Sequence, residues 1–257
     1  MTLVETEQRG GAVWLWLNRP DRHNSLIPEL VSDLRAAIAA AAKRNPAALV
    51  LSGRGASFST GGDVAGFLAH AGSCAELSDY AGRLVSALHE AILDLLAFPV
   101  PVLAAVNGPV TGGALGLVLA ADLVAVAEHS FLQPYYSEIG FGPDGGWTAL
   151  LPDRIGVSKA LEIQYLNRRL DAQEAAALGL VARVCPASGL GSVVDGWVAE
   201  IGGGSAQTHR VTRQNVWDER RCAGVRDRLE RERKRFLDLV TCPATITGMR
   251  EFTRERA

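Results

Sequence analysis

The chain has 257 residues, 48% of them hydrophobic and 21% charged, with a formal net charge of −2. That composition supplies a sizeable core, and the near-neutral charge leaves no electrostatic footprint for nucleic acid or an anionic membrane. The four cysteines make no CxxC pair and the five histidines no metal-ligand spacing, so neither a disulfide framework nor a bound metal is expected, and the expected setting is the reducing cytoplasm.

Glu5 and Glu7 precede the first apolar run, so the N-terminus does not read as a secretory signal. Ala12 to Leu17, rich in Trp and Val, predicts a strand. Pro28 and Glu29 suit a first helical turn, and Leu30, Val31, Leu34, Ile38 and Ala41 continue at helical spacing until Pro46. Leu49 to Ser52 is the next strand, and Phe58-Ser59-Thr60-Gly61-Gly62-Asp63-Val64 follows it as a glycine corner before a helical stretch. Leu77 to Phe98 predicts a long amphipathic helix with Leu77, Tyr80, Leu84, Leu88, Ile92 and Leu95 on one stripe. Val102 to Val106 reads as a buried strand that runs through Asn107-Gly108 and Gly112-Gly113 into a helix of small residues ending near Ala121. Leu123 to Ala127 is a further strand. Pro99 to Ala127 is apolar enough to suggest a membrane span, but prolines, glycines, Asn107 and Asp122 interrupt it, and a buried strand–helix–strand is expected instead. After about Ile155 the pattern is mostly helical. Gly202-Gly203-Gly204-Ser205 predicts a flexible break, and Trp217 to Arg235, dense in Arg and Glu, predicts a solvated helix face. Strands alternating with helices place the chain in the α/β class.

The two glycine corners carry the chemistry. Amides at a helix start have no intrahelical partner, and the helix dipole favours negative charge there. Two such corners can direct two fixed donors at one oxygen, the arrangement of an oxyanion hole. The alternative is that the glycines serve only tight packing.

The motifs then combine. Leu17-Asn18-Arg19-Pro20 with Asn24-Ser25-Leu26, Phe58 through Asp63, Asn107-Gly108 with Gly112-Gly113, Gln133-Pro134, Pro143-Asp144-Gly145-Gly146 and Ala176 through Val181 occur in an order and spacing that resembles the crotonase superfamily of enoyl-CoA hydratases and isomerases. The resemblance implies a crotonase-like spiral of repeated strand–strand–helix units over 1–200, with a helical C-terminal region over 201–257 that is not an independent domain. It implies a homotrimer or a dimer of trimers. It also implies an acyl-CoA thioester as substrate, with coenzyme A carried by the substrate and no separate cofactor. The oxyanion donors would be the amides of Gly62 and Gly113.

The sequence departs from the hydratase pattern at two points. The resembled hydratases carry a Glu three residues after the second oxyanion glycine, where this chain has Gly116, and another directly after Gln-Pro, where it has Tyr135. Neither residue can hold and activate a water near neutral pH. Asp144 remains. It suits a proton shuttle between C2 and C4 of a 3-enoyl thioester; it also suits a helix N-cap over the amides of Gly146 and Trp147. By resemblance to aryl-CoA dehalogenases it could instead be a nucleophile. A non-catalytic acyl-CoA-binding homologue is the alternative of another class, and the absence of a Gly-x-Ser-x-Gly elbow argues against a serine hydrolase. Glu138 is a reserve acid or a surface residue. Tyr135, Tyr136 and Trp147 are expected to wall the acyl pocket or simply to pack, and Phe67 and Leu68 to shape its acyl end. The resemblance assigns Arg22, Leu26, Asp63 and Val64 to coenzyme A, and sets Phe252 to Arg256 where a basic tail reaches a neighbour's coenzyme A.

Overall fold

The computed structural model describes residues 2–255, without the side chain of Glu255. The first half runs β1 (Val4–Arg9), β2 (Ala12–Leu17), α1 (Pro28–Ala42), β3 (Leu49–Gly53), α2 (Val64–Ala69), α3 (Cys74–Leu96), β4 (Val102–Val106), β5 (Val110–Thr111), α4 (Leu115–Leu119), β6 (Leu123–Ala127) and β7 (Phe131–Gln133). The second half runs α5 (Tyr136–Ile139), α6 (Leu151–Ile155), α7 (Val157–Tyr165), β8 (Leu170–Asp171), α8 (Ala172–Ala177), β9 (Arg183–Cys185), α9 (Leu190–Gly203), α10 (Ala206–Val216), α11 (Glu219–Val240) and α12 (Pro243–Glu255).

Six strands form one sheet in the order β1-β2-β3-β4-β6-β9. Only β1–β2 is antiparallel; the other pairings are parallel, in registers such as Leu49 opposite Val102 and Leu103 opposite Leu123. Parallel strands need covering on both faces, and the side-chain period of two divides them accordingly. Val13, Leu15 and Leu17 point into the main core with α1 and α3. Ala12, Trp14, Val50, Leu103 and Ala105 point the other way, under Leu190, Val194 and Val198 of α9. A second sheet, β5-β7-β8, stands beside the glycine corners.

The interrupted apolar stretch is the expected strand–helix–strand, and among the described residues no helix is long and apolar enough to cross a membrane. Several expectations need correction. The helix after Gly112-Gly113 begins as a 3₁₀ turn over Gly112–Ala114 and its α-helical part stops at Leu119. Gly202 and Gly203 are helical, so the break narrows to Gly204 and Ser205, whose hydroxyl caps α10 at the Thr208 amide. The charged segment from Trp217 is not merely a solvated face. Val225, Leu229, Glu232, Phe236 and Val240 of α11 are buried, four of them in the main core. Met249 of α12 lies in the same cluster.

Candidate active site

Backbone pairing joins the two glycine corners. Ser59 N–H donates to Pro109 O at 3.2 Å and Thr111 N–H to Ser59 O at 3.1 Å. Gly61, at φ +77°, lies so close that a Cβ there would stand 2.6 Å from Thr111 O. Leu26 closes the first corner, donating to Gly61 O at 2.7 Å and accepting from Asp63 N–H at 3.0 Å. This bridge uses the Gly61 carbonyl and the Asp63 N–H and leaves the Gly62 N–H outside it. The Gly113 N–H falls in the first turn of its helix, before any intrahelical bond begins. Both glycines line one cavity holding about 560 Å³ of space, counting its open mouth.

The walls of that cavity are apolar. Leu26, Val64, Phe67, Leu84, Val85 and Leu88 contribute to them. Tyr135, Tyr136, Ile139, Phe141, Phe236 and Phe252 also line it. Phe67, Phe141 and Phe236 pack on one another with ring centroids 4.9 to 5.8 Å apart. Phe252 meets Tyr135 edge-on at 5.5 Å, so α12 folds over its own chain's cavity. Arg256 lies outside the described residues, as does the side chain of Glu255.

Asp144 is the one carboxylate among the described lining residues. It sits in the turn between α5 and α6 and is buried. A methyl group built on Gly113 would lie 3.1 and 3.2 Å from its two oxygens, so the acid and the second corner touch. Tyr136 Oη donates to Asp144 Oδ1 at 2.6 Å and reaches Asp144 O at 2.9 Å. Burial pushes the Asp144 carboxyl up to about 7, the Tyr136 hydrogen bond pulling it down and the charge of Glu232 adding to the rise. The Tyr136 phenol is driven well above its ordinary range by burial and by the adjoining Asp144.

The N-cap expectation for Asp144 fails. The Gly146 amide donates to Glu232 Oε2 at 2.8 Å, and the Trp147 amide reaches only the backbone oxygen of Asp144, at 3.5 Å. With neither of these amides capping its side chain, burial outweighs the lowering by Tyr136 and by the residue's own backbone amide, and the carboxyl stays raised. Sequence reading missed Glu232 and also His89, whose Nε2 accepts the Gly145 N–H at 3.2 Å. Burial lowers His89 to about 4, which keeps it neutral and able to accept. The one signal that could have exposed Glu232 was its place on the apolar stripe Val225, Leu229, Phe236.

Other expected residues fall into two groups. Leu26, Val64, Phe67, Tyr135 and Tyr136 line the cavity with Gly62, Gly113 and Asp144. Arg22, Asp63, Leu68, Glu138 and Trp147 are not among its lining residues. Asp63 caps α2 at the Gly66 amide and pairs with Arg19 at 2.8 Å and Arg22 at 3.2 Å. Burial opposes its ionisation, but the two arginines hold its carboxyl below the usual range. Trp147 is fully buried and donates to Gly112 O at 2.7 Å, so it braces the second corner instead of walling the pocket. Glu138 is exposed and accepts from Asn167 at 3.1 Å. Gly116 has no room for a side chain: a Cβ there would stand 2.2 Å from Gly145 O and 2.4 Å from Ile92 Cδ1. Among the described residues no group of three His, Cys, Asp or Glu could hold a metal ion.

Sheet order, helical C-terminal region and paired glycine corners define the crotonase fold. An enoyl-CoA hydratase from Bacillus halodurans shares it with a TM-score of 0.90 and 21% identity, over 97% of this chain and 99% of that one. The chain belongs to the enoyl-CoA hydratase/isomerase family, whose sequence profile matches residues 7–256. It is 33% identical over 236 residues to a probable enoyl-CoA hydratase, echA12, of Mycobacterium bovis, spanning 90% of this chain and 82% of that protein. It is also 33% identical over 183 residues to 4-chlorobenzoyl coenzyme A dehalogenase-2 of an Arthrobacter species, spanning 70% and 65% respectively.

Proposed function

We propose that this protein moves a double bond in an acyl-CoA thioester, converting a 3-enoyl to a 2-enoyl group, with Asp144 as the single acid–base and coenzyme A as part of the substrate. The carrying observation is one buried carboxylate in an apolar cavity, touching the second of the two glycine corners, with no second acid among the described lining residues.

The thioester oxygen lies between the amides of Gly62 and Gly113. Ionised Asp144 takes a proton from C2. The C–H electron pair becomes the C1–C2 double bond of a dienolate, and negative charge moves onto the oxygen, where the two fixed amides receive it. Asp144, now protonated, returns its proton at C4. The electrons then settle as a C2–C3 double bond and the carbonyl reforms. A carboxyl titrating near 7 is matched to both halves of this cycle. Tyr136 holds Oδ1 and leaves Oδ2 to face the acyl carbons. Hydration would need a second carboxylate to hold water, and the close backbone contact at Gly116 leaves no space for one.

The test is a spectrophotometric assay with a medium-chain 3-enoyl-CoA, beside a hydration assay on a 2-enoyl-CoA. Wild type should form the conjugated thioester, and Asp144→Asn should lose at least about 100-fold in kcat. Hydration faster than isomerisation would overturn the proposal. A second reading, Asp144 as nucleophile on an aryl-CoA, draws support from the dehalogenase relatives and the aromatic walls. It calls for a covalent adduct on Asp144, detectable by mass spectrometry after rapid quenching with a halogenated aryl-CoA.

A further inference from the structure

Helix α11 of the C-terminal region contributes a carboxylate that ends behind the turn carrying Asp144. Glu232 is 4% exposed. Its Oε2 accepts the Gly146 N–H at 2.8 Å, and its Oε1 accepts the Thr148 N–H at 2.7 Å, the Thr148 hydroxyl at 2.7 Å and the Ala149 N–H at 2.8 Å. These are the amides of the turn that follows Asp144. His89 from α3 takes the one before them, Gly145 N–H, at 3.2 Å. Between them, a neutral imidazole and a carboxylate hold the amides of Gly145, Gly146, Thr148 and Ala149.

Among the described residues no lysine or arginine pairs with this buried acid. Its nearest basic side chain is His89, with Nε2 at 3.8 Å and already accepting from Gly145. Arg233, the next residue on α11, pairs with Glu230 instead. Burial raises the Glu232 carboxyl above its ordinary value, while the four donors facing its oxygens favour the ionised form and work against that rise. The remaining titratable groups that face this cluster are Asp144 and Tyr136 across the turn.

We infer that Glu232 is the positioning residue of this site: its carboxylate pins the turn that carries Asp144 and sets a second negative charge behind it. The inference rests on the reading of Asp144 as the acid–base. It gives Glu232 two separable effects. Pinning fixes where the Asp144 oxygens lie relative to Gly113. Charge disfavours the ionised form of Asp144 and so keeps it a stronger base.

The experiment uses the full chain with ¹³Cγ-labelled aspartate, following Asp144 by NMR across pH, with Asp144→Asn to assign its resonance. Glu232→Gln keeps the shape, removes the charge and turns an NH₂ toward the Gly146 amide. The Asp144 titration should move to lower pH by about half a unit or more, and kcat for isomerisation should fall at least about tenfold. Affinity for a saturated acyl-CoA should stay within about threefold. Glu232→Asp keeps the charge on a shorter arm, so its Asp144 titration should stay close to that of wild type while kcat falls. An unmoved Asp144 titration in folded Glu232→Gln overturns the inference. If Glu232→Gln does not fold, a Glu232→Asp protein with wild-type kcat overturns it equally. The NMR titration needs no substrate. Failure of the isomerase reading therefore shows separately, as an active Asp144→Asn or as a wild type silent on 3-enoyl-CoA.

Discussion

Two buried groups, Asp144 and His89, carry opposite pH signatures. Asp144 has its folded pKa raised from 3.8 to about 7. Its contribution to stability is complete below the unfolded value and is lost as pH rises through about 7. His89 has its folded pKa lowered from 6.5 to about 4. Its contribution is complete above the unfolded value and is lost as pH falls through about 4. Asp144→Asn removes the first slope alone. The variant should therefore exceed wild type in stability by about 2–4 kcal/mol on the alkaline side of pH 7, the gap closing toward pH 4. Chemical denaturation at a series of pH values measures this, and a gap that does not depend on pH would refute a buried, proton-linked Asp144. In the wild-type isomerase assay the same carboxyl should give kcat/KM a rising limb centred near pH 7.

At the level of elements, the site depends on how closely two backbones approach. A Cβ on Gly145 would stand 2.3 Å from Gly113 O, and one on Gly116 would stand 2.2 Å from Gly145 O. The start of α4 and the turn of Asp144 thus lie in backbone contact, which sets the distance from acid to oxyanion corner. Gly116→Glu, which restores the hydratase pattern on paper, should not restore hydration. The new side chain must push the turn away, costing about 1–3 kcal/mol or more in overpacking and at least about tenfold in isomerase kcat. A Gly116→Glu protein with wild-type melting temperature and new hydratase activity would contradict this. The sequence shows a glycine where a glutamate was awaited; only the structure shows that the neighbouring turn fills the space. Asp144 follows the same logic. Its proximity to the glycine corners was legible from motif order, and the strands from Val13 to Val126 from their continuous apolar runs. Its freedom from capping duty was not legible, because the group that relieves it is Glu232, 88 residues away on a helix whose charge density reads as solvated.

Across the whole molecule, the C-terminal helices complete the core and the site together. Phe236 and Phe252 close the cavity, Glu232 braces its acid, and Val225, Leu229, Val240 and Met249 belong to the same buried cluster as β2, β3 and α3. Arg213 of α10 locks this region down. It is 6% exposed, pairs with Asp122 at 2.7 Å, and donates to Leu95 O and Leu96 O at 2.7 Å and to Phe98 O, carbonyls at and just past the end of α3. Asp122 in turn accepts the Val102 amide at the start of β4. Arg213→Met keeps much of the bulk but removes the side-chain donors from those carbonyls and the ion-pair partner from Asp122. It should cost about 2–4 kcal/mol, below the range for a fully buried pair because Asp122 retains partial access to solvent. Because one core spans both regions, this loss should appear as a single transition. Isomerase activity, near-ultraviolet circular dichroism and far-ultraviolet circular dichroism should fall together in denaturant, in wild type and variant alike. Activity lost well before the far-ultraviolet signal would mean that the helices after α9 detach as a unit of their own, and that the cavity closes only by local docking.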